Sequence, residues 1–537
     1  MKGLGKSMFI ELINRWFRQP KNDGNNGKDT SSDSQPQGDL LGLPLLGAIA
    51  AARTTMGNSA DFIVKEIGRD YTGLPSAAIF YIEGLVDAKK VSETIETLVQ
   101  VASENADARL ASEDLWQRLR GRVHTGGTVT VSTNEAFFSA VLAGSAVVLV
   151  DGCREAFSVS TQGGEHRSIE EPSSQTVIRG PKEGFTEILS TNLSQLRRRL
   201  RTTHFRVEYR TVGRFTQTQV AIAYIEGLAN PTVLTELRKR LDAIDIDGVL
   251  ESGYLEELIQ DHSFTPFPTI FNTERPDSIA GHLLEGHCAV LVDGTPFALV
   301  LPVTFFKFFL SSEDYYQRYD IITFIRAIRF MSFFVSLMLP SLYVAVTTFQ
   351  QEMLPTTLLI SLAAQREGVP LPALLEALLM ELTFEVIREA GVRMPRVIGP
   401  AISIVGALVL GQAAVQAGLV SGAMVIVVSF TAIANFVIPS VSMAASVRLI
   451  RFSLMLLAGT FGLFGILAGI VPLLIHLVSL TSFGVPYFLP VAPLSVQNLK
   501  DVIVRVPWKA MRTRPHLISV LNRTRQRAGQ TSRKEKD

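Results

Sequence analysis

From Phe330 to Pro493 the chain is strongly apolar and its few charges gather in short clusters, which constrains the fold more than any other feature. A bilayer span needs about 20 mostly apolar residues, because backbone groups in hydrocarbon must bond within their own segment. Four stretches meet that length. Ala327 to Phe349 contains Pro340 and is expected to kink there. Val397 to Ala417 and Leu419 to Ile438 are separated by one Gly, and Phe452 to Leu477 is long enough to tilt. Trp508, Lys509, Arg512 and Arg514 then open a basic tail running to Lys536. The reading is an integral membrane protein, with an all-α transmembrane domain over 326–495 and a basic tail over 496–537.

Short basic flanks orient such spans. Arg326 and Arg329 precede the first, no export signal precedes the N-terminal region, and the tail is rich in Lys and Arg, so both ends are expected to be cytoplasmic. Four spans satisfy this but leave Arg393, Arg396, Arg448 and Arg451 outside. A crossing by Leu371–Ala390 brings them inside, yet the tail must then return through Phe483–Leu494. The expected count is four to six.

Leu371–Ala390 carries Glu376, Glu381, Glu385, Arg388 and Glu389, with 381, 385, 388 and 389 on one helical face. Carboxylates at membrane depth are expensive and mark functional sites. One reading is an interfacial helix with a wet face and a Glu385–Arg388 cluster. The other is an acidic stripe facing an aqueous vestibule that concentrates cations, with Glu376, Glu381, Glu385 and Glu389 as candidates. On Val397–Ala417, Ser403, Ala407, Gly411 and Ala414 form a small-residue stripe suited to close helix contact. Val405, Leu408, Val409, Gln412 and Gln416 lie beside it. In a symmetric oligomer such apolar and polar rings make a gate with a hydrated mouth, so Val405, Leu408, Gln412 and Gln416 are the pore candidates. Ordinary bundle packing explains the same residues.

The preceding region reads as soluble and contains a diverged duplication. Ala78-Ile79-Phe80-Tyr81-Ile82-Glu83-Gly84-Leu85 returns 143 residues later as Ala221-Ile222-Ala223-Tyr224-Ile225-Glu226-Gly227-Leu228. Leu149-Val150-Asp151-Gly152 returns 142 residues later as Leu291-Val292-Asp293-Gly294. Each copy joins a β-type run to a helical pattern such as Val91–Val101, and Val141 to Asp151 reads as a buried strand. Two tandem related α/β subdomains are therefore expected, over 39–157 and 220–325, joined by a basic bridge over 158–219. Within the bridge, Asn192–Arg201 is helical, and Arg197, Arg198, Arg199 and Arg201 are candidates for docking anionic lipid or an acidic partner. A solvated or carboxylate-paired face is the simpler explanation of the same residues. Residues 1–38 read as an amphipathic N-terminus followed by a polar, disordered linker.

A net charge of +1 selects no nucleic acid, and no aromatic residues interleave with the Arg cluster as base stacking requires. Two Cys, Cys153 and Cys288, build no disulfide framework. No HExxH, GxSxG or complete phosphate-binding loop occurs, and Gly5-Lys6-Ser7 lacks the first Gly of such a loop. His282, His287 and Cys288 lack a fourth ligand and read as the start of a strand. Neither an enzyme nor a cofactor is expected.

These residues closely resemble the A-subunit family of bacterial spore germinant receptors, the GerA family, over roughly residues 70–510. Matching stretches include Tyr81–Gly84, Arg179-Gly180-Pro181-Lys182-Glu183-Gly184-Phe185, Phe271-Asn272-Thr273-Glu274-Arg275-Pro276-Asp277, Glu313–Tyr316, Pro340–Val344, Arg366–Pro370, Glu376–Glu381, Val405–Val415 and Ser482–Phe488. Gly399-Pro400 departs from the family's usual Gly-Gln, which weakens that position as a polar site. The resemblance implies a nutrient-sensing complex of the spore inner membrane, with a transporter-like, nutrient-holding B subunit and a lipoprotein C subunit. It further implies that the A subunit forms a homo-oligomeric, ligand-gated ion channel, expected to pass cations, whose opening starts germination. A secondary transporter and a non-conducting scaffold are the competing readings.

Overall fold

The computed structural model describes residues 40–68, 76–106, 112–122, 128–163, 171–172, 175–394, 409, 411–495, 498–514, 518, 521–522 and 524–526. The expectations for 1–38, and for Ser403, Val405, Ala407 and Leu408, fall outside them.

The duplication in sequence is a duplication in strand pairing. β1 (Phe62–Ile67), β2 (Ala77–Ile82), β3 (Thr128–Val131), β4 (Ala146–Val150) and β5 (Ala156–Val159) form one sheet in the order β1-β2-β4-β5-β3. β6 (Phe205–Val212), β7 (Thr218–Ile225), β8 (Phe271–Thr273), β9 (Cys288–Val292) and β10 (Ala298–Leu301) repeat it as β6-β7-β9-β10-β8. Ala78 stands opposite Leu149, and its counterpart Ala221 stands opposite Leu291. Every paired strand in both sheets runs antiparallel to its neighbour.

The central strands are apolar throughout because both sheet faces are covered. α1 (Leu45–Thr55) and α4 (Asn134–Leu142) pack on one face of the first sheet through Leu45, Ala48, Phe137 and Val141. α2 (Ala88–Ala106) and α3 (Ser112–Arg122) cover the other through Leu98, Val101, Leu115 and Leu119. On the second sheet α6 (Pro231–Asp242) and α7 (Ser252–Ile259) cover one face. α5 (Leu189–Arg199), α8 (Pro276–Glu285) and the helical region share the other.

The Asp of each Asp-Gly stop has the same task. Asp151 Oδ1 accepts from the Leu45 N–H at the start of α1 (2.9 Å), and Asp293 Oδ1 accepts from the Leu189 N–H at the start of α5 (3.0 Å). Each satisfies an amide that a helix's first turn leaves open.

Two expectations need correcting. Val141 and Leu142 end α4, and only Ala146–Val150 is strand. The stretch 158–219 is no separate bridge: α5 and β6 are parts of the second unit, buried in its core by Leu193, Leu196, Phe205 and Val207.

The helical region comprises α9 (Tyr319–Thr348), α10 (Thr356–Arg366), α11 (Ala373–Arg393), α12 (Gly422–Phe436) and α13 (Val441–Ser479). Among the described residues, α9 and α13 are long and apolar enough to cross a membrane, and α12 is apolar but 15 residues long. α9 continues helically through Pro340. α13 is not one span, because Gly462 breaks it at φ 62° and ψ −141°. In an unbroken helix residues 454 and 469 would stand about 22 Å apart. Instead a Cβ built on Gly469 would lie 2.6 Å from Leu454 Cδ2, so the arms 441–461 and 463–479 fold back on each other.

Both ends of this hairpin rest on the second sheet unit. Asn272 Nδ2 donates to Ser442 Oγ at 3.4 Å, and Thr265 Oγ1 lies 2.9 Å from His476 Nε2. Its tip meets the far end of α9, where the Leu463 N–H donates to Gln350 Oε1 at 3.3 Å. The tail returns to the start of α9: Arg326 Nη1 donates to Asp501 Oδ1 at 2.8 Å, and Tyr315 Oη donates to Asp501 Oδ2 at 2.7 Å.

Candidate functional site in the helical region

α11 places its acids toward α12 and α13. In its first turn buried Glu376 uses Oε1 to accept from both the N–H and the Oγ of Ser421, 2.6 Å each, at the start of α12. Arg366 Nε lies 3.8 Å from Glu376 Oε2. Farther along, Glu381 Oε2 lies 2.8 Å from Arg451 Nη2 of α13, each side chain 1% exposed. One turn later Glu385 takes three guanidinium groups: Arg388 at 2.6 Å, Arg448 at 3.4 Å and Arg451 at 3.7 Å. Glu389 is exposed and pairs with Arg393 of its own helix at 2.9 Å.

The acids expected to form a stripe facing a vestibule are, within one chain, largely paired. Within one chain Glu376, Glu381 and Glu385 are closed onto neighbouring helices, since an uncompensated carboxylate among apolar helices costs several kcal/mol. The Glu385–Arg388 pair belongs to the alternative reading, although Arg448 shares that carboxylate. Arg448 and Arg451 stand inside α13, where they clip it to α11.

The pore candidates stand apart from these pairs. Gln412 and Gln416 lie one turn apart on a helical stretch at 411–416, and both are exposed. Gly411 approaches Val425 of α12, so this stretch lies at the end remote from the sheets.

The basic candidates divide. Arg197 is buried, donating from Nε to Asp61 Oδ2 (2.7 Å) and from Nη2 to Asp61 Oδ1 (2.8 Å) and Ser59 Oγ (3.0 Å). It ties the two sheet units together and is no docking residue. Arg199 reaches Glu183 at 2.6 Å, while Arg198 and Arg201 are exposed.

Sequence reasoning missed two features. Arg326 and Arg329, read as orienting flanks, both bind Asp314, at 2.9 and 2.8 Å. The break at Gly462 was signalled by Gly459, Gly462, Gly465 and Gly469 within one apolar stretch. Beneath the tail, Glu285 meets Lys307 at 2.5 Å and Arg525 at 2.9 Å. Burial alone would raise its pKa, but Lys307 and Arg525 outweigh burial and hold the carboxylate below its usual range. His287 is fully buried, 2.6 Å from the Pro302 carbonyl through Nδ1. Burial, then nearby His282 and Lys307, hold it well below the ordinary imidazole range.

The family described as Bacillus/Clostridium GerA spore germination protein matches residues 50–517. The chain belongs to the GerA family. That match takes in both sheets and the helical region. Spore germination protein KA of Bacillus subtilis (strain 168) is 50% identical over 489 residues, covering 91% of this GerA chain and 89% of that protein. Spore germination protein GerLA of Bacillus cereus is 37% identical over 489 residues, with coverages of 91% and 98%. The crystal structure of the N-terminal domain of the A subunit of the Bacillus megaterium spore germinant receptor GerK3 aligns at 37% identity and a TM-score of 0.40. It covers 50% of this chain and 98% of that one.

Proposed function

We propose that this GerA protein is the A subunit of a nutrient-responsive spore germination receptor, and that copies assemble in the spore inner membrane around an ion-conducting pore. The family supports the receptor role, together with a nutrient-binding B subunit and a lipoprotein C subunit as partners. The path of the chain supports the membrane topology. α9 leads away from the sheets and α11 returns. α12 starts at the far end and returns; the first arm of α13 then leads away and the second returns. With Val397–Ala417 counted as the span expected from sequence, six passes keep the sheets and the tail on one side, the cytoplasmic one, with Arg388, Arg393 and Arg448 at that face.

One observation carries the pore: the helical region spends its buried carboxylates on internal pairs, while Gln412 and Gln416 stand exposed. Because the described helices hold their buried carboxylates in ion pairs and hydrogen bonds with one another, this reading puts the route between copies, where exposed amides one turn apart form polar rings. Val405 and Leu408 are proposed, from the sequence alone, as the companion apolar ring. Nutrient held by the B subunit shifts a closed–open equilibrium by binding the open form better.

The test is single-channel recording from the full-length protein with its B and C partners in a planar bilayer, against a panel of amino acids and sugars. Discrete nutrient-dependent conductance steps support the channel. Slow coupled uptake without steps assigns a carrier, and silence under every nutrient assigns a scaffold.

A further inference from the structure

The unassigned feature is a cavity of about 500 Å³ at the junction of the second sheet unit and the helices. Arg275 and the 310–313 loop form its sheet side; Arg329, Arg388, Arg448 and the turn from α12 to α13 form its helix side. Volumes of roughly 300–1,000 Å³ are typical of ligand sites.

Its charge is unbalanced on the helix side. Arg388 and Arg448 line the cavity and, with Arg451 behind them, share Glu381 and Glu385, three cations against two anions, while Glu313 lines the sheet side. Arg451 Nε and Nη1 have no hydrogen-bond partner among the described residues. Arg448 is held at the wall by donating from Nη1 to Asn435 Oδ1 at 3.3 Å, while Asn435 Nδ2 is committed to Ser336 Oγ (3.2 Å) and the Ala444 carbonyl (3.1 Å). The same cavity carries an apolar rim: Val392 is 73% exposed, Phe436 69% and Val441 63%. Guanidinium groups beside outward-facing apolar side chains match a ligand with an anionic head and a hydrocarbon body.

We propose that this cavity binds an anionic phospholipid. Its phosphate sits against Arg388 and Arg448, and its acyl chains lie along Val392, Phe436 and Val441. The inference rests on the reading that the helices cross the membrane, because only then does the cavity lie at headgroup depth. An anionic lipid here touches α11, α12, α13 and the second sheet unit at once, coupling the cytoplasmic layer to the helices. Guanidinium groups suit this role, binding phosphate oxygens in a fixed fork.

The test is native mass spectrometry of the full-length protein in detergent, titrated with phosphatidylglycerol or phosphatidylcholine. Phosphatidylglycerol should be retained preferentially. Arg388→Gln with Arg448→Gln should weaken it roughly thirtyfold, each juxtamembrane cation contributing about fivefold. Glu385→Gln, which removes the competing carboxylate, should strengthen it severalfold, and keeps the test open if the double variant misfolds. Equal retention of the two lipids, or an unchanged Glu385→Gln, overturns the proposal. Displacement of phosphatidylglycerol by excess inorganic phosphate alone reassigns the site to a free anion and also overturns it. Alkaline extraction of membranes separates the two readings: a protein washed off the membrane refutes the topology, whereas one that stays but shows no lipid preference refutes only this site.

Discussion

Arg451 of α13 and Glu381 of α11 meet at 2.8 Å with both side chains 1% exposed, a buried ion pair between two helices distant in sequence. Removing one partner leaves the other charge buried, which typically costs about 3–5 kcal/mol. Glu381→Ala should therefore lower the melting temperature of the detergent-solubilised protein strongly. The exchange Glu381→Arg with Arg451→Glu should recover much of the loss. An unchanged melting curve for Glu381→Ala would remove this pair from the forces that hold α11 against α13.

Gly462 turns α13 back at φ 62° and ψ −141°, a region open in practice only to Gly. A Cβ there would also lie 2.8 Å from Gln350 Oε1 and 2.9 Å from Phe349 Cβ. Gly462→Val should destabilise the protein by at least about 1–3 kcal/mol. Gly462→Ala should cost less than Gly462→Val but still destabilise, whereas Gly→Ala in an ordinary helix stabilises. A cysteine pair placed at positions 454 and 469 should cross-link if the arms fold back, and should fail to do so in a straight helix.

The two Asp-Gly stops should behave as equivalents. Asp151→Ala and Asp293→Ala each release one helix-start amide, at 2.9 and 3.0 Å, and each should cost about 1 kcal/mol by denaturant unfolding. A large cost at one and none at the other would contradict the structural duplication.

His287 is neutral in the folded protein because its pKa lies well below 6.5, while in the unfolded chain it titrates near that value. The unfolded state therefore binds the extra proton first. The contribution to stability is intact above about pH 6.5 and is lost as pH falls toward the folded pKa. Glu285 acts in the same direction below its ordinary range of about 4.5. Melting temperature should be flat from pH 7 to 8 and fall on acidification, and His287→Gln should flatten the part of that slope nearest pH 6.

The sheets were legible because a residue's partner repeats with the residue: Ala78 and Leu149 recur as Ala221 and Leu291 in both sequence and register. The boundary at 219 was misplaced because β6 is polar in part, with Arg206, Glu208 and Arg210 on it, and resembles a bridge when its partner is unknown. Hydropathy identified apolar length but not direction, so a hairpin bent at Gly462 looked like one tilted span. The acids of α11 were found by spacing, yet spacing cannot reveal that Arg448 and Arg451 face them. Only the fold brings together charges more than sixty residues apart.

The most direct test of the pore is chemical modification of Gln412→Cys in a Cys153→Ser background, recorded in a bilayer with the partner subunits; Cys288, the other cysteine, is buried. If Gln412 lines an ion path between copies, a charged thiol reagent should step down the nutrient-evoked current in this variant and leave the parent unaffected. Full modification of the cysteine with undiminished current would contradict a pore at this helix.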